Sequence, residues 1–170
     1  MQKCNVDLFV VSPLTRSLQT HTEILNWYAG AGNAQKVVVS PLISERLSST
    51  GSRGSKRSLL EKSFPFLDFG SLEESWWFHP NALARDKHES DKMVTNRIVK
   101  FLQWLSDQPE RNIVVVGHGH AFRVLCRLAH QRFDQNLDLR IVGSSPTRQL
   151  NTNRLFRCNL DVVSVELYSG

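Results

Sequence analysis

The chain has 170 residues, 41% of them apolar and 22% charged, with nine glycines, a length and balance that suit one globular core and exclude collagen, wholesale disorder and a disulfide scaffold. No run approaches the roughly 18 apolar residues of a spanning helix, and the polar start Met1-Gln2-Lys3-Cys4-Asn5 has no apolar signal core, so neither a membrane partner nor export is expected. The net charge is +5. Much of that excess comes from Leu139 to Leu160, where Arg140, Arg148, Arg154 and Arg157 stand without an acid. These arginines are spaced apart, with no basic block and no aromatic interleaving, so the segment reads as a solvated basic loop and nucleic acid ranks last among partners. Cys4, Cys126 and Cys158 form no Cys-x-x-Cys pair, which fits a reducing, cytoplasmic setting.

Val6 to Val11 is a short apolar run ending in Ser12-Pro13, an N-cap followed by a first-turn proline, so a strand passes directly into a helix. Leu14, Leu18, Leu25 and Tyr28 recur at helical spacing until Gly30-Ala31-Gly32-Asn33 stops them. Lys36 to Ser40, with three consecutive valines, is the next strand. Such continuous apolarity suggests a sheet covered on both faces. Ser48 to Ser58 is small and polar and reads as an exposed loop. Leu59 to Trp77, rich in Phe, Leu and Trp and interrupted by Pro65 and Gly70, reads as a compact excursion from the sheet.

Val94, Ile98, Phe101, Leu102 and Leu105 form a helical stripe between Asp91 and Ser106, ahead of Gln108-Pro109. Ile113 to Val116 is a buried strand, followed by Gly117-His118-Gly119-His120 and a helix from Ala121 to about Phe133. Gly143 to Asn153 reads as a loop and Asp161 to Leu167 as a final alternating strand. No internal repeat is present. Strands alternating with helices imply right-handed crossovers and a mostly parallel sheet between helical layers. Ligands in such sheets bind beyond the carboxyl ends of the strands.

Two strand-to-helix junctions therefore carry the chemistry. Val11-Ser12-Pro13-Leu14-Thr15-Arg16 and Val116-Gly117-His118-Gly119-His120 are expected at one sheet edge, where free helix N–H groups, close backbone approach at glycine and the Arg16 fork suit a phosphate. His118 at a strand end suits anion binding as an imidazolium, proton transfer, or a buried structural role. His118-x-His120 lacks a nearby third ligand, which argues against a metal. His21, His79, His88 and His130 read as structural or exposed.

Val11 to Thr20 (Val-Ser-Pro-Leu-Thr-Arg-Ser-Leu-Gln-Thr) and Val115-Val116-Gly117-His118-Gly119 resemble two motifs of the histidine phosphatase superfamily, also called phosphoglycerate-mutase-like. Leu42-Ile43-Ser44-Glu45-Arg46 is similar to the segment carrying that family's acid, and Phe64 to Phe69 with Glu74 to Trp77 to the aromatic insert of one branch. The resemblance implies a three-layer α/β/α sandwich spanning residues 1–170 as one domain, with an insert at about 46–90. It implies Arg16, His118 and Gly119 as phosphate-binding residues. It also implies His118 and Glu45 as catalytic residues, the first bracing the phosphoryl group and the second protonating the leaving oxygen. A Glu45–Arg46 surface salt bridge is the plainer alternative for Glu45. No metal or organic cofactor is implied, and the partner is a small phosphorylated molecule or phosphate.

The family's motif set opens with a strand ending in Arg-His-Gly, whose histidine is the nucleophile; no Arg-His-Gly occurs in these 170 residues. The resemblance thus begins at the family's second strand, and the first strand and helix are expected to be missing. Catalysis is expected to be impaired. The strand at Ile113 to Val116 should then lose a neighbour, leaving a bare edge prone to self-association or drawing the last strand across. Two rival readings are a truncated gene model of an active phosphatase and a non-catalytic interaction module. The second would use Trp76-Trp77 or the basic Leu139 to Leu160 segment as its surface.

Overall fold

Leu8–Val11 forms β1, a strand apolar on both faces because both faces of the sheet are covered there, paired in parallel with β2 (Lys36–Val39) on one side and β3 (Asn112–Gly117) on the other. A computed structural model describes residues 6–28, 36–77, 88–132, 137–143 and 161–167. Its five-stranded sheet has the order β2-β1-β3-β5-β4, with β4 at Leu137–Gly143 and β5 at Asp161–Leu167. β5 runs antiparallel to both β3 and β4, so the other four strands share one direction and the sheet is mostly parallel.

The period of two along β1 separates two cores. Leu8 and Val10, with Ile113 and Val115 of β3, pack against α3 (Asp91–Ser106) and α4 (Gly119–Arg132). Phe9 and Val11, with Val39 and Val116, pack against Leu18 of α1 (Thr15–Tyr28), Leu60 of α2 (Arg57–Ser63) and the turn residues Phe64, Leu67, Phe69 and Leu72. Helices thus cover both faces, as the alternation of strands and helices implied. The stripe expected on α3 is buried throughout, and Ser90 caps that helix by accepting the Met93 N–H at 3.3 Å, with Asp91 in the first turn favouring the helix dipole.

Several expectations change. Residues 59–77 are not an excursion away from the sheet: Leu60, Phe64, Leu67, Phe69 and Leu72 supply much of one core, because that face of β1 and β3 otherwise has only α1 to cover it. Within the polar stretch 48–58, Thr50–Ser52 is a short 3-10 helix with Ser52 buried, and α2 already begins at Arg57. The basic stretch expected as a loop from Leu139 starts instead inside β4, whose Leu137, Leu139 and Ile141 alternate with Asp138 and Arg140 in the pattern of a strand. The remainder of that stretch, with Arg148, Arg154 and Arg157, lies outside the described residues. So does most of the loop expected at 143–153. The final strand is found where expected and pairs with β3 from Asn112↔Glu166 to Gly117↔Asp161. β3 therefore has no bare edge, and the reason given for self-association at that strand disappears.

Trp76 anchors the insert. Its Nε1 donates to the Ser55 carbonyl at 2.9 Å, and its ring lies so close to Gly54 that any Cβ there would collide with the indole. Gly54→Ala is therefore expected to displace Trp76 and cost about 1–3 kcal/mol, the usual range for overpacking. A denaturant midpoint and tryptophan emission measured together check this; an unshifted midpoint with unchanged emission would refute it.

Candidate functional site

Because β1 and β3 are parallel neighbours, the turns that follow them leave the sheet at the same edge. Ser12 N–H donates to the Val116 carbonyl at 2.9 Å, continuing the pairing one residue past β1. The first turn runs Ser12-Pro13-Leu14 into α1, and Ser12 Oγ accepts the Leu14 N–H at 3.4 Å. The second runs through His118 into α4, whose first turn is closed by Phe122 N–H donating to the His118 carbonyl at 2.9 Å. Glycine at 117 admits this close packing: a Cβ there would press on the Ile43 and Phe122 side chains at 3.0 Å each, and both would have to give by a few tenths of an ångström.

His118 is fully buried and knits the two turns together. Its Nε2 lies 2.9 Å from Ser12 Oγ and 3.1 Å from Ser17 Oγ, while Nδ1 has no hydrogen-bond partner among the described residues. Burial first, then the positive charges of Arg16 and Arg97, push its pKa down to about 3. The ring is neutral at pH 7, so the imidazolium role considered from the sequence does not apply to this conformation; burial removes the water that would solvate the charge. Ser12 and Ser17, both buried, were not singled out from the sequence as partners of the histidine, although both lie inside the motif.

Arg16 is half-buried in the first turn of α1 and its Nη1 donates to the Gly51 carbonyl at 2.9 Å, which fastens the polar stretch 48–53 beside the site. Gly119 opens α4 and its carbonyl accepts from Arg123 Nε at 3.2 Å. Glu45 is half-buried just after the 3-10 helix Pro41–Ile43, and its Oε1 accepts the Arg46 N–H at 2.9 Å. The Arg46 guanidinium pairs instead with Asp91 at 3.0 Å and donates from Nε to the Glu89 carbonyl at 2.8 Å, so the Glu45–Arg46 salt bridge is not formed. The structure thus brings Arg16, His118 and Gly119 to one edge of the sheet, with Glu45 on the neighbouring connection after β2.

The sequence reading passed over Glu89 and Arg97. Arg97 interrupts the apolar stripe of α3 yet is buried, and its Nε and Nη2 form a fork onto both Glu89 oxygens at 2.7 and 3.0 Å. A charged residue on the buried face of a strong stripe was the available signal. Among the isolated histidines, His88 is exposed and His21 is fully buried. His21 packs edge-on against Phe9 with neither ring nitrogen hydrogen-bonded among the described residues, and burial lowers its pKa to about 4. His79 and the side chain of His130 lie outside the described residues. His120 is half-buried, with Nε2 3.6 Å from Asp91 Oδ1. Among the described residues no group of three His, Cys, Asp or Glu could hold a metal, and no helix is long and apolar enough to cross a membrane.

Residues 1–151 match the histidine phosphatase superfamily (branch 1). The chain belongs to that family. Comparison with the curated proteins and with the solved structures found no match. In this histidine phosphatase chain the family match takes in both strand-to-helix turns, the connection carrying Glu45 and the aromatic stretch Phe64 to Trp77.

Proposed function

We propose that the chain is a histidine-phosphatase unit, one domain over 1–170 with its insert at about 46–90, that binds the phosphate of a small phosphorylated molecule. Binding is at the carboxyl edge of β1 and β3, through Arg16, His118 and the Gly119 amide. The observation that carries this reading is the convergence of the two turns: the Ser12 N–H to Val116 bond and the His118 contacts to Ser12 and Ser17 put the α1 and α4 N-termini side by side. Two helix N-termini and a guanidinium favour an anion. An anion reaching His118 Nε2 exchanges with the two serine hydroxyls that occupy it, and a neutral ring donates one N–H to it. Glu45 is the acid in this reading, no cofactor takes part, and the setting is cytoplasmic.

Turnover by these 170 residues alone is expected to be close to nil. They contain no Arg-His-Gly, and removing the nucleophile from a concerted set costs on the order of 10⁶ in rate. Inorganic phosphate at tenfold its Kd is expected to stabilise the chain by about 1.4 kcal/mol in a thermal melt at pH 7.5, and Arg16→Ala to abolish that shift. An equal shift in Arg16→Ala would place binding elsewhere. Hydrolysis of an aryl phosphate is expected in neither the chain nor His118→Ala; His118-dependent turnover would overturn the impaired reading. Among the described residues β2 and β4 are the outer strands, so self-association by edge pairing would use them, and light scattering over a concentration series reads it.

A further inference from the structure

Glu89 and Arg97 reach, between them, both ends of one short segment. Arg97 Nη1 donates to the Leu42 carbonyl at 2.7 Å, and Glu89 Oε2 accepts the Leu47 N–H at 3.2 Å. Glu89 also exchanges its backbone with the segment, its N–H donating to the Leu47 carbonyl at 2.8 Å and its carbonyl accepting from Arg46 Nε at 2.8 Å. Glu45 lies between these attachment points. Ile43, buried against β1, α3 and α4 and in contact range of the Gly117 position, is the segment's apolar anchor.

Two buried charges cost desolvation energy that a fork between them offsets only in part. Shape alone would be served by apolar side chains. What an ion pair adds is direction: the fork fixes the Arg97 plane, which aims Nη1 at Leu42, and fixes the Glu89 carboxylate, which leaves Oε2 aimed at Leu47. We infer that Glu89 and Arg97 are positioning residues, a buried clamp between α3 and the stretch Leu42 to Leu47 that sets where Glu45 stands at the mouth of the site. The clamp stands on its hydrogen bonds; its catalytic meaning rests on the reading of Glu45 as the acid.

Amide hydrogen exchange on the full chain tests it. In Glu89→Leu/Arg97→Met, which keeps an apolar filling and removes both charges, protection at the Leu47 and Arg46 amides is expected to fall at least tenfold more than at the amides of β1 and β3. Glu89→Gln/Arg97→Met returns an acceptor to Leu47 and is expected to recover most of the loss at that amide. Protection that falls equally everywhere, or that stays unchanged at Leu47 and Arg46, would overturn the clamp. The phosphate-induced thermal shift of the unsubstituted chain reads the functional proposal separately: its absence would remove the phosphate site, while the exchange pattern alone decides the clamp.

Discussion

Acidification from pH 7 to pH 5 is expected to remove about 4 kcal/mol of stability, a large part of the roughly 5–15 kcal/mol margin of a typical domain. The cause is two histidines, His118 and His21, that fold neutral in buried surroundings with pKa values pushed down to about 3 and about 4. In the unfolded chain each titrates near 6.5. Below that value the unfolded state binds protons that the folded state refuses. Stability is therefore intact above about pH 6.5 and falls by about 1.4 kcal/mol per pH unit for each ring until the folded pKa is reached. The lowered carboxyls Glu74, bonded to the Ser58 hydroxyl, and Glu110, bonded to Lys36, act only in a lower window, from 4.5 downward. Urea melts at pH 7.5, 6.5, 5.5 and 5.0 check the slope. Replacing His21 by Leu, which suits its apolar contact with Phe9, should roughly halve that slope. A stability that is flat across this range would refute the assignment.

Arg97→Met alone is expected to cost about 3–5 kcal/mol, the usual cost of breaking a buried pair from one side, because it takes the guanidinium fork away from the Glu89 carboxylate. Glu89→Leu/Arg97→Met is expected to be the more stable of the two proteins, since both charges of the fork are removed from the core together. It still falls short of the unsubstituted chain, because the Leu47 N–H and the Leu42 carbonyl lose partners, at about 1–3 kcal/mol for a buried group left unsatisfied. Denaturant midpoints for the single and double variants decide it. A double variant less stable than Arg97→Met would show that the pair contributes net stability beyond removal of charge.

The parts of the molecule that were legible in the sequence are those where one physical signal dominates. Val6 to Val11 before Ser12-Pro13, and Ile113 to Val116 before Gly117-His118, announce buried strands running into helices, and the edge they share follows from strand alternation. The stripe on α3 was equally plain. β4 was not legible because the alternation of Leu137, Leu139 and Ile141 is short and runs into an arginine-rich stretch, and only the tertiary pairing with β5 makes that pattern a strand. The packing of residues 59–77 against the sheet was not legible for a related reason: aromatic residues without periodicity say that something is buried but not against what. His118 bonding to Ser12 and Ser17, and Arg16 reaching the Gly51 carbonyl, join groups far apart in sequence, and no local pattern encodes them; the Glu89–Arg97 fork spans only eight residues, and its one local sign is a charge on the buried face of the α3 stripe.

β1, an interior strand, depends on a partner made much later. Asp7 and Asn112, which flank the β1–β3 pairing through the bond from the Asn112 N–H to the Asp7 carboxylate, are separated by 105 residues. At about 5–20 residues per second, β1 leaves the ribosome on the order of 10 s before β3. Throughout that interval Phe9, Val10 and Val11 have β2 as their earliest strand neighbour, and no carbonyl from Val116 yet receives the Ser12 N–H. The sheet edge that carries both strand-to-helix turns is thus completed only after β3 has been made. Until then, the same apolar run is a segment for a chaperone to shield.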